Sequence, residues 1–103
     1  MAVIISEEYR LAAKSWVDAD AAASLLEECK SANLSQMMQA HGDIAVSKAE
    51  MYVKASPEWT DYITKMVNAR KEANLLKVRC EWLRMRFSEQ QSTEATARAE
   101  RRL

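Results

Sequence analysis

After Pro57 the chain contains neither proline nor glycine, and an apolar heptad repeat runs through the first two thirds of that stretch. The spacing predicts a single helix over 57–102. At about 1.5 Å per residue that is a rod of ~69 Å. A compact chain of 103 residues has a radius of gyration of only about 13 Å. The remainder of the chain cannot wrap such a rod, so the rod is expected to find partners.

The single glycine and single proline leave almost no turn material, which argues against a β-rich fold. Ala, Leu, Met, Glu, Lys and Arg dominate, and all favour helices. Alanine inflates the 49% hydrophobic content, so the core is expected to be thin. No apolar run approaches the roughly 18 residues of a membrane span. Met1 to Ile5 is too short for a signal-peptide core and lacks a basic leader. Together these point to a cytoplasmic protein. Cys29 and Cys80 lie inside helical patterns with apolar neighbours and read as reduced, buried thiols. Net charge is zero but unevenly spread. Residues 1–63 carry 5 Lys/Arg and 10 Asp/Glu, whereas residues 64–103 carry 10 and 5. Opposite halves could attract across a hairpin or between subunits, or a basic arm could reach an acidic partner.

The pattern predicts one all-α domain over 1–103: a long helical hairpin with a short middle helix, coiled-coil-like packing and an oligomeric state. The first helix is expected over 6–40, with Glu7 and Glu8 favourable in its first turn. Ile5, Tyr9, Ala12, Trp16, Ala19, Ala23 and Leu26 step by four and three, forming one seam. The small residues from Ala19 to Ala23 allow another helix to come close. Ser31 to Ser35 weakens the pattern, so a kink or break falls naturally there. Gly42 is a natural C-terminal stop. A short helix over 47–55 comes next, with Ser47 and Glu50 matching a capping box and Met51, Tyr52 and Val53 as its apolar contacts. Ser56 suits the N-cap of the long helix, and Pro57 its first position.

The long helix carries two seams. Tyr62, Met66, Ala69, Ala73, Leu76, Cys80, Leu83 and Phe87 keep a 4-3 alternation over nearly four heptads. Leu75, Val78, Trp82 and Met85 form a second seam on nearly the opposite side. A helix apolar on two sides lies in the middle of something. One side can take the first helix and the other a second copy, most simply in a two-fold dimer. After Phe87 the composition turns polar nearly all round, so 88–103 reads as a helical extension that is marginal alone.

Arg70, Lys77, Arg84 and Arg98 recur at heptad spacing, with Gln91 in the gap. They could track phosphates, or pair with carboxylates on a neighbouring helix. Arg79 and Arg86, on the other flank, fit either reading. Arg98, Arg101 and Arg102 form a terminal basic patch that could meet nucleic acid or an acidic protein. Trp16, Trp59 and Trp82 could stack on bases, but helical spacing favours packing. His41, the only histidine, has no partner at metal-ligand spacing. No nucleophile–base arrangement, P-loop or Gly-rich cradle is present. The residues therefore give no catalytic, cofactor or metal site, and the chain reads as a non-enzyme.

Residues 47–103 carry Ser47-Lys48-Ala49-Glu50, Ser56-Pro57-Glu58-Trp59, Asp61-Tyr62-Ile63, Val67-Asn68-Ala69-Arg70, Ala73-Asn74-Leu75-Leu76-Lys77-Val78, Arg84-Met85-Arg86-Phe87 and the run from Gln91 to Glu100. As a whole this stretch resembles a group of small helical proteins of tailed phages and prophages, companions of recombination and single-strand annealing functions. The resemblance implies a bacterial cytoplasm and a role near phage DNA recombination or replication, and it brings no catalytic or binding residues with it. Three functions fit. The chain could be an oligomeric adaptor contacting a phage or host protein, a nucleic-acid-binding accessory protein using the basic ridge, or an inhibitor of a host nuclease or defence complex.

Overall fold

The computed structural model describes residues 5–102, and among these it contains helices and turns but no strand. Four helices succeed one another: α1 (Ile5–Glu28), α2 (Lys30–Gln39), α3 (Val46–Lys54) and α4 (Pro57–Arg102). The molecule is a rod, 83 × 25 × 17 Å, with a radius of gyration of 23.1 Å. That is far above the ~13 Å of a compact chain of this length. The 46 residues of α4 set the long axis. No described helix is long and apolar enough to cross a membrane.

α1 lies antiparallel along α4. Near one end the Tyr62 hydroxyl donates to the Leu26 carbonyl. In the middle Arg70 reaches Asp20 and Glu27. Further along, Ala12 packs with Cys80 and Leu83, flanked by Tyr9, Ala13 and Trp16. Ile5 shares a groove with Glu89, Gln90 and Glu94. The last eight residues of α4 continue past that point.

The packing is set by side-chain size. Every member of the α1 seam, from Ile5 to Leu26, is buried or half-buried, as is every member of the Tyr62–Phe87 seam. Ala23 and Ala73 are fully enclosed, which requires the two helices to approach closely. Larger contacts are few, and Leu83 and Val53 are the largest fully buried side chains. Each such burial contributes roughly 1.5–3 kcal/mol. The core is thin and extended, and α4 presents an outer side with none of the other described helices against it.

The helix expected over 6–40 is divided at Cys29, a turn residue between α1 and α2. The division comes just before the weak Ser31–Ser35 stretch, and a long-range contact marks the place. Tyr62 takes up the Leu26 carbonyl, four residues before Lys30, and a side chain inserted into the i→i−4 ladder is a known cause of kinks. The Asn33 side chain also donates to the Cys29 carbonyl at 3.0 Å. α2 then stops at a turn where Gly42 adopts φ 78°, and α3 returns alongside α2 to meet α4.

Two local expectations fail at α3. The helix begins one residue early, with Ala45 at its N-cap and no side-chain capping bond. Ser47 thus lies inside the first turn, and Glu50 pairs forward with Lys54 at 2.7 Å. Of the expected apolar contacts only Val53 is buried, joined by Ala49, while Met51 and Tyr52 are exposed. Ser56 does cap α4: its hydroxyl accepts from the Trp59 amide at 3.3 Å and donates to the Val53 carbonyl at 2.5 Å. Pro57 comes next at the first helical position, where no amide donor is required.

Candidate interaction surface

The basic ridge is not one free row. Arg70 is half-buried and faces α1. Its Nη1 donates to Asp20 Oδ1 at 2.6 Å, and its Nε and Nη2 grip the Glu27 carboxylate at 2.9 and 2.7 Å. Nη2 also reaches the Ser24 hydroxyl at 3.2 Å. The guanidinium holds the Glu27 carboxyl below the usual carboxylate range, and the same carboxylates raise the arginine's own affinity for its proton. Arg70 therefore has its fork filled by two acids and a hydroxyl. Lys77 and Arg84 are exposed beside a groove lined by Tyr9, Trp16, Cys80 and Glu81. Arg98, Arg101 and Arg102 are exposed on the part of α4 that runs past Ile5.

The three tryptophans part company. Trp16 packs on the Ala12–Cys80–Leu83 cluster. Trp59 is buried and stacks on Tyr62 with ring centroids 5.8 Å apart. Trp82 alone is exposed, and the Arg86 guanidinium lies 5.5 Å from its ring centroid. Such cation–π contacts at exposed sites are modest, about 0.5–1 kcal/mol.

Trp82 belongs to the second seam, and the whole seam is open. Leu75, Val78, Trp82 and Met85 are 61%, 61%, 54% and 59% exposed. They step by three, four and three, which gathers them on one stripe. Successive residues of an α-helix turn by about 100°, so this stripe lies on the side of α4 opposite Ala73, Cys80 and Leu83. Val67, also exposed, falls on the same side. Spacing alone does not reveal Val67 as a member, because Lys71 interrupts the repeat between it and Leu75. Single exposed apolar residues are ordinary, whereas a contiguous row of large ones marks a contact surface.

Both cysteines are free; Cys80 is buried and Cys29 half-buried. Burial pushes the Cys80 thiol up, making it a packing group and a poor nucleophile. Among the described residues no three His, Cys, Asp or Glu side chains gather as a metal site would require. The surface depressions are open grooves; one between α1 and α4 is lined by Glu8, Leu11, Leu76 and Arg79, and another by α4 alone, from Asp61 to Glu72. Comparison with protein-family models, curated proteins and solved structures returns no match.

Proposed function

We propose that this chain is a non-enzymatic accessory protein that works by protein–protein contact, as a helical oligomer. The observation that carries the reading is the open seam of Leu75, Val78, Trp82 and Met85 on the outer side of α4. Four large apolar side chains kept in water favour association, at about 25 cal/mol per Å² of apolar surface removed from solvent. A setting near phage DNA recombination or replication is part of the proposal, and it rests on the resemblance of residues 47–103 to small helical phage proteins. Size-exclusion chromatography with light scattering tests the reading. The expected result at about 50 μM is a mass above that of one chain. A monodisperse monomer at that concentration contradicts it.

A second reading rests on Arg98, Arg101 and Arg102, exposed on the projecting end of α4. They could contact phosphates, and such binding would weaken steeply with salt. Arg70 does not join them, because Asp20 and Glu27 occupy it. A low-salt gel shift with single- and double-stranded DNA is the test. Retardation that disappears when the three arginines become alanine supports this reading, and no retardation at ~10 μM contradicts it.

A further inference from the structure

Resting on the reading of the outer seam as a contact surface, we propose that its occupant is a second copy of this chain laid antiparallel, with the two-fold axis level with residue 80. The seam extends at both ends. Lys71 lies four residues before Leu75 and Glu89 four residues after Met85, and both are exposed. The positions 71, 75, 78, 82, 85 and 89 are spaced 4-3-4-3-4, which reads identically in either direction. Turned over about residue 80, Leu75 meets the partner's Met85, and Val78 meets the partner's Trp82. Lys71 meets the partner's Glu89, and symmetry makes every pairing twice. A parallel pair would instead set Lys71 against Lys71 and Glu89 against Glu89 at seam positions, where like charges repel with little water between them.

The flanks do not favour one direction. Glu72 faces Arg86 of the second copy in the antiparallel arrangement, and Glu81 faces it in the parallel one. Near the antiparallel axis Arg79 and Glu81 each approach their own copies, but at the exposed rim such contacts count for little. Nor does the net charge of the two halves of the rod favour one direction. Divided level with residue 80, where Ala12 packs against Cys80, residues 13–79 hold 9 Lys/Arg and 9 Asp/Glu, and residues 1–12 with 80–103 hold 6 and 6. The direction rests on the palindromic seam and on the opposite charges of Lys71 and Glu89 at its two ends. The resulting pair would carry its arginine tips at opposite ends, about 60 Å apart. A strut with two distant basic ends can join two acidic sites, which one copy cannot do.

Two experiments on the full chain test this. In a Cys29→Ser, Cys80→Ala background, a spin label at Thr96→Cys should report an intermolecular distance of about 50 Å for the antiparallel pair. A distance under ~20 Å means parallel pairing, which overturns this inference and leaves self-association standing. A monomer with no intermolecular distance overturns both. With the native cysteines kept, Lys71→Glu or Glu89→Lys alone should weaken the dimer about tenfold, while the double reversal restores it to within about threefold. Single reversals without effect, or a double reversal that restores nothing, overturn the pairing of these two residues and with it the proposed direction.

Discussion

Leu83 shows how much the fold asks of single side chains. It is 2% exposed and sits with Ala12 and Cys80 where α1 meets α4. The core has few large residues, so little can collapse into the space it would leave. Leu83→Ala should cost about 2–5 kcal/mol, read as a lowered denaturant midpoint. A loss under ~0.5 kcal/mol, typical of surface sites, would mean that the helix pair is loosely packed at this point. Gly42 makes a different point. Its φ is 78°, and a Cβ there would touch nothing within 4 Å. The cost of Gly42→Ala is therefore purely backbone strain, about 1 kcal/mol. Gly42→Asn should cost less, because Asn tolerates the left-handed region. Chemical denaturation of the two variants checks the order, and equal losses would contradict it.

At the scale of helices, Arg70 is the polar tie between α1 and α4. Its guanidinium lowers the pKa of Glu27, so the pair stabilises the folded chain above the usual carboxylate range. That contribution is lost as pH falls through the lowered value, while Arg70 stays charged throughout. Glu27→Gln should lower the melting temperature at pH 7, and the gap from the natural chain should narrow as the pH falls below the usual carboxylate range. A gap independent of pH would mean that Glu27 acts through packing alone.

The two helix seams are legible in the sequence because burial imposes a repeat of three and four along each strip. Arg70's partners are not, since Asp20 and Glu27 lie 50 and 43 residues away in the chain and no local spacing connects them. The break in the first helix is legible as the weakened pattern from Ser31 to Ser35, but its position at Cys29 is not, since it accompanies a contact from Tyr62, far along α4. At α3 the local signal misleads. Ser47 and Glu50 have the capping spacing, but the helix starts at Val46 and Glu50 turns to Lys54. The basic ridge is visible as a spacing, yet spacing does not tell which of its members already has a partner.

For the molecule as a whole, the governing fact is the mismatch between one long helix and a short chain. α1 covers one side of α4 and leaves Leu75, Val78, Trp82 and Met85 open. Assembly through that side would shelter the seam, and the antiparallel arrangement would also set the two arginine tips apart. Trp82 is the residue to probe, because it is exposed and stands in the middle of the row. Trp82→Glu should leave the helical circular dichroism unchanged while placing a charge where the apolar contact is proposed. Sedimentation equilibrium over a concentration series, comparing the natural chain with this variant, measures the central claim directly. The account predicts that the natural chain approaches twice its 11.7 kDa while the variant stays monomeric. A natural chain that remains a monomer throughout, or a variant that associates equally well, would contradict it.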